Sequence, residues 1–249
     1  MRPPLPPYCG RGQTIGPPDY IGLGAQKAGT TWWHELVQSH PEVFRPRGLP
    51  KEVHFFDSCP PLRTNLPGLA RAYYEFFPRP GGCIVGEWTP RYIYDFWVPP
   101  LLSKVAGDAR LLVLVRDPVE RFRSGLTLNV RLNGSMSKAA VDEAFQRGFY
   151  WAQLKRLMRW IDRDNILLLQ FEQCVREPSR QLAATYAFLG IDPAFRPKNI
   201  GRRVNGTRGR KLPLSGEQSE WLRDAFADDS AALANSFPGI DLSLWGDKA

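Results

Sequence analysis

The chain has 249 residues, 43% of them hydrophobic and 23% charged, and carries a formal net charge of +8. That is enough chain for one large core and too little for two ordinary domains, and the composition is that of a soluble globular protein. The positive balance points to an anionic partner, but the basic residues form no run of five or more, which favours a local anion site over a nucleic-acid stripe.

The start, "MRPPLPPYCGRGQTIGPP", is rich in proline and lacks the apolar centre of a signal peptide. Residues 1–18 read as an extended lead-in, and 19–249 as a single domain. Continuous apolar runs at 20–25 ("YIGLGA"), 83–87 ("CIVGE"), 111–115 ("LLVLV") and 166–171 ("ILLLQF") predict strands buried on both faces. Helical patterns are predicted at about 29–39, 94–105, 117–130, 139–162, 178–189 and 216–235, with proline-rich loops at 45–50, 58–67 and 78–82. Within the fourth helix, Tyr150, Leu154, Leu157 and Ile161 make an apolar stripe, and Lys155, Arg156, Arg159 and Arg163 read as a solvated face. This alternation predicts an α/β fold of three layers, a central parallel sheet flanked by helices. No window approaches the ~18 apolar residues of a membrane span. The four cysteines are widely spaced, without CxxC, so neither a zinc site nor a disulfide framework is expected, and a cytoplasmic, reducing setting is the simplest reading.

Three stretches carry chemistry. In "YIGLGAQKAGTTWWHEL", Gly24 and Gly29 have the spacing of a phosphate-binding loop, but Thr30 and Thr31 stand where Lys-[Ser/Thr] would follow, and the lysine is Lys27. A strand feeding a glycine turn and a helix start is an anion trap, because the first N–H groups of a helix lack internal partners and its dipole favours negative charge. In "PKEVHFFDS", Glu52, His54 and Asp57 gather titratable groups beside aromatics; the residues alone read as a short strand with a half-buried, hydrogen-bonded histidine. In "LLVLVRDPVERFRSGL", Arg116 ends a strand, Asp117 is an N-cap and Pro118 suits the first helical position, with Ser124 two turns along. Sites at the ends of neighbouring parallel strands converge on one crevice.

Together these stretches resemble the sulfotransferases that use 3′-phosphoadenosine 5′-phosphosulfate (PAPS), with the Lys-x-Gly-Thr-Thr core, the "HPEVF" tail and "RDPVERFRS". "KEVHFF" is similar to the heparan sulfate branch, especially the glucosaminyl 3-O-sulfotransferases. The resemblance runs from about residue 20 to 245 and implies a P-loop-like sulfotransferase fold. It implies that Lys27, Ala28, Gly29, Thr30, Thr31 and Trp32 hold the 5′-phosphosulfate. Arg116 and Ser124 would hold the 3′-phosphate, and the late loop Arg208, Gly209, Arg210 and Lys211 would close over the nucleotide. Glu52 is the implied base, with His54 and Asp57 in support; His54 is the rival base, since cytosolic sulfotransferases of the same superfamily use histidine.

One position departs from the pattern. In "VGEWTPRYIYD", Trp88 stands where that branch has a lysine near the reacting centre, with Arg91 close by. Trp88 therefore points to an acceptor other than a sulfated glycosaminoglycan, such as a small aromatic, lipid-like or glycosylated compound; packing in the core is its other reading. The expected activity is sulfuryl transfer from PAPS to a hydroxyl of a small-molecule or glycosylated acceptor, of the natural-product tailoring kind, leaving adenosine 3′,5′-bisphosphate. No metal, nucleic acid or membrane is expected to take part. A P-loop kinase using ATP and magnesium, and a non-catalytic binder of polyanions, are the other classes the motifs allow.

Overall fold

The computed structural model describes residues 4–59, 65–198, 200–201 and 211–246. In chain order it forms β1 (Gln13–Ile15), β2 (Tyr20–Gly24), α1 (Thr30–Gln38), α2 (Leu66–Tyr74), β3 (Pro78–Pro80) and β4 (Gly86–Trp88). There follow α3 (Val98–Ala106), β5 (Arg110–Val115), α4 (Pro118–Asn133), α5 (Lys138–Gln146) and α6 (Tyr150–Leu157). The rest is β6 (Ile166–Gln170), α7 (Phe171–Arg176), α8 (Pro178–Leu189) and α9 (Gly216–Ser236).

Four strands pair in parallel in the order β4–β2–β5–β6. Every residue of β2 and all of β5 after Arg110 are buried, as unbroken apolar runs require when helices cover both faces. From β2 the chain passes to β4 on one side and later returns to lay β5 on the other. The order thus reverses beside β2, and in open parallel sheets such a reversal opens a crevice at the carboxyl ends of the strands. On one face, α1 is fastened to α8: Trp33 Nε1 donates to Thr185 Oγ1 at 3.2 Å and Tyr186 OH donates to Leu36 O at 2.9 Å. A smaller apolar cluster of Val119, Phe122, Leu126, Ala144, Leu222 and Phe226 joins α4, α5 and α9.

Several expectations need correction. The predicted helix over 139–162 is two helices, α5 and α6, interrupted around Gly148. A Cβ there would lie 2.5 Å from the Phe226 ring, so the break admits α9 to the core. The apolar stripe is nevertheless buried throughout, and Arg156 turns from solvent to donate to Ile93 O and Tyr94 O at 2.8 and 2.7 Å. Residues 50–58 form turns rather than a strand, because their N–H groups go to side chains instead of a neighbouring strand. The expected loop at 78–82 contains β3, which pairs antiparallel with β1 from the lead-in. Among the described residues no helix is long and apolar enough to cross a membrane.

Candidate active site

The turn after β2 is shaped by two residues in the left-handed region, Lys27 at φ 69° and Gly29 at φ 92°. Gly29 is required twice over: such a φ favours glycine, and a Cβ would sit 2.6 Å from the Phe171 ring. Side chains of Asn65, Asp117, Ser137 and Ser215 cap α2, α4, α5 and α9, whereas α1, like α3, α6 and α8, has no side-chain cap and no acid in its first turn. What sets its start apart is the glycine turn before it, which carries Lys27 two residues ahead of Gly29. Burial, then the charges of Arg116 and Arg131, lower the pKa of Lys27. An anion held among these cations would offset that repulsion.

Arg116 follows β5 directly. Asp117 caps α4, accepting from Val119 N at 2.8 Å and Glu120 N at 3.2 Å, with Pro118 at the first helical position as expected. The Arg116 guanidinium lies over the Phe171 ring, 5.0 Å from its centroid, and Phe171 also meets Trp32 edge-on at 6.2 Å. One ring therefore backs both the Lys27 turn and Arg116. Ser124 is buried on α4. Glu120 gathers Arg116, Arg123 and Lys211 at 3.3, 3.0 and 2.6 Å. Burial would raise this carboxyl, but Lys211, Arg123 and Arg116 outweigh it and hold it below its ordinary value. Lys211 thus joins Arg116 on the Glu120 carboxylate; Arg208, Gly209 and Arg210 lie outside the described residues. On the resemblance's assignment of Arg116 to a 3′-phosphate, Arg116→Ala would weaken adenosine 3′,5′-bisphosphate binding by about 10–100-fold, the worth of a charge-assisted hydrogen bond, measured by calorimetric titration.

Across the crevice, Lys51 Nζ donates to Thr30 Oγ1, the first residue of α1, and to Glu52 Oε1, each at 3.0 Å. Glu52 Oε2 lies 3.3 Å from His54 Nε2, and Asp57 Oδ2 lies 2.7 Å from His54 Nδ1. Burial pushes Glu52 up, but His54 and Lys51 together hold it below its ordinary range. Hydrogen bonds to Asp57 and then Glu52 raise His54 from 6.5 to about 10. The folded chain therefore holds this proton more tightly than the unfolded chain. The resulting stabilisation is complete below pH 6.5 and lost as pH rises to about 10. Urea unfolding across that window is expected to show a falling stability whose slope is reduced in His54→Ala.

Gln26, Glu52, His54, Asp57, Ser58, Pro90, Arg91 and Arg147 line a cavity of about 360 Å³. Arg91 bonds Asp95 at 2.9 Å and Glu143 at 3.1 Å, and Arg147 bonds Glu143 at 2.6 Å. Trp88 does not line this cavity. It is fully buried, its indole N–H donates to Gly24 O at 3.3 Å, and its ring covers Gly22, where a Cβ would fall 2.0 Å away. The assignment of Trp88 to the acceptor is therefore corrected to packing beneath the first turn. Sequence reasoning missed Lys51, Glu120, Arg147 and Phe171. Phe171 alone had a usable signal, closing the apolar run predicted as a strand over 166–171; the observed strand stops at Gln170, one residue short of it.

A family profile described as "Sulfotransferase domain" matches residues 17–205. Mouse heparan sulfate glucosamine 3-O-sulfotransferase 3B1 is 30% identical over 207 residues, covering 77% of this chain and 50% of that protein. Human heparan sulfate glucosamine 3-O-sulfotransferase 6 is 30% identical over 221 residues, covering 83% and 61%. The chain thus spans about half to three fifths of the length of these relatives. A sulfotransferase from Alicyclobacillus acidocaldarius shares the fold, with a TM-score of 0.73 at 22% identity over 92% of this chain and 99% of that one. With Phe171 backing both the Lys27 turn and Arg116, with Lys51 bonding Thr30 and Glu52, and with that profile spanning most of its length, the chain belongs to the sulfotransferase family.

Proposed function

We propose that the chain transfers the sulfuryl group of PAPS to a hydroxyl of a small-molecule or glycosylated acceptor, with Glu52 as base. The observation that carries this reading is the meeting of the Lys27 turn and Arg116 on Phe171, with Lys51 tying Glu52 to the mouth of α1. A donor with a 5′-phosphosulfate and a 3′-phosphate requires two anion sites a nucleoside apart, and two helix starts at adjacent strand ends supply them. In the transfer, the acceptor oxygen bonds sulfur while the bond from sulfur to the 5′-phosphate oxygen breaks. The acceptor proton passes to Glu52, and the bisphosphate leaves with the electron pair. His54 is a poorer base because carboxylates face both ring nitrogens and keep it protonated up to about 10. Its charge instead orients Glu52. The polar lining around Glu52, without an aromatic wall from Trp88, fits a hydroxyl-rich acceptor.

The test is calorimetric titration with adenosine 3′,5′-bisphosphate in the absence of magnesium, and with ATP in its presence, alongside transfer from radiolabelled PAPS to an acceptor panel. Binding of the bisphosphate and label transfer support the proposal. ATP–magnesium binding without affinity for the bisphosphate replaces it with phosphoryl transfer. Salt-steep binding to heparin alone replaces it with a non-catalytic polyanion binder.

A further inference from the structure

Residues 51–55, which carry Glu52 and His54, lie along residues 87–92, and the two stretches are fastened in step. Trp88 N donates to Lys51 O at 2.8 Å. Val53 N donates to Glu87 Oε2 at 3.1 Å, His54 N to Thr89 Oγ1 at 3.2 Å, and Phe55 N to Tyr92 OH at 2.8 Å. Three consecutive backbone donors of the base-bearing loop thus end on three side chains of one segment.

Those acceptors are themselves interlocked. Tyr73 OH and Tyr92 OH each donate to Glu87 Oε1 at 2.9 Å, and the Thr89 hydroxyl donates to Glu87 Oε2. A carboxylate offers about four lone-pair sites, and Tyr73, Tyr92, Thr89 and Val53 fill them. Glu87, Thr89, Tyr92 and Tyr73 are all fully buried. Burial pushes the Glu87 carboxyl up to about 7 against the pull of its donors, so the hub is expensive compared with apolar packing of the same shape. What it gives in return is direction. His54 sits at φ 52°, a conformation a non-glycine residue keeps only when its surroundings impose it, and the bond from its N–H to Thr89 is part of that constraint.

We propose that Glu87 and Thr89 are positioning residues for the base: with Tyr92, they fix the backbone of Val53–Phe55 and so hold Glu52 and His54 at the transfer site. The inference rests on the reading of Glu52 as base, and its test keeps the two separable. Thr89→Val keeps the side-chain shape but removes both the acceptor for His54 N and the donor to Glu87. Thr89→Ser keeps both.

In the full chain, Thr89→Val is expected to lower kcat by about 10–100-fold, the cost of a small misplacement of reacting groups, with bisphosphate affinity unchanged. Thr89→Ser is expected to restore most of the loss. Should Thr89→Val fail to fold, as judged by melting and lost bisphosphate binding, Tyr92→Phe becomes the deciding variant, with a kcat loss at constant affinity expected. The proposal is overturned if the folded variant keeps wild-type kcat while Glu52→Gln loses it. It is equally overturned if Thr89→Ser is as impaired as Thr89→Val, or if Tyr92→Phe lowers kcat and bisphosphate affinity together. If Glu52→Gln keeps full turnover, the base assignment falls instead; a loss in Thr89→Val that serine reverses then supports positioning of His54.

Discussion

Lys27→Ala is expected to lower kcat for sulfuryl transfer by about 10²–10³-fold, the usual effect of deleting a preorganised donor at developing charge. In the proposed reaction, negative charge grows on the oxygen between sulfur and the 5′-phosphate as the bond breaks. Lys27 stands in a turn held at φ 69°, next to a helix start that no side chain caps. Its ammonium is already crowded by Arg116 and Arg131, so an anion there is stabilised by several positive groups that need no rearrangement. Lys27→Arg is expected to recover little, because a guanidinium fork cannot reproduce a compact charge at the same point. Single-turnover transfer from radiolabelled PAPS at saturating acceptor is the measurement. Near-wild-type kcat in Lys27→Ala would shift leaving-group stabilisation to Lys51, the other lysine bonded at the mouth of α1.

Glu52→Gln is expected to cut kcat by about 10²–10⁴-fold, the range for loss of a positioned general base, while leaving bisphosphate binding intact. The two effects separate because the substitution leaves Lys51 its bond to Thr30 at the mouth of α1. Glutamine keeps the size and can still accept from Lys51, but it cannot take the acceptor proton. The carboxylate is held below its ordinary pKa, so wild-type kcat is expected to show no acid limb from Glu52 across the neutral range. Activity that survives Glu52→Gln but vanishes in His54→Ala would transfer the role to the histidine.

The parts of the site visible in the sequence were those built from local chemistry. Asp117 and Pro118 announce the start of α4, and the apolar runs announce β2, β5 and the half-buried edge strand β6, because capping and burial leave their mark within a few residues. The three motifs are linked through single residues: Phe171 lies against both Gly29 and Arg116, and Lys51 bonds both Thr30 and Glu52. What stayed hidden depends on partners distant in the chain. The break between α5 and α6 answers to Phe226, almost eighty residues on. The antiparallel pairing of Gln13–Ile15 with Pro78–Pro80 runs through prolines that read as loop. Trp88 looked like a substrate wall because a tryptophan shows neither its burial nor its partner Gly22 in the sequence. Lys51 gained a role only when folding brought it against Thr30.

Glu120 has a consequence for how tightly the site can bind its ligand. By drawing Arg116, Arg123 and Lys211 together in the folded chain, it acts as an internal counter-ion that assembles the cluster in advance. Much of the ordering cost for those three long side chains is met during folding instead of at the moment of association. A phosphate entering there would share the cations with a resident carboxylate, so the cluster trades some attraction for readiness, a balance that in the proposed reaction would let a spent nucleotide depart after each cycle.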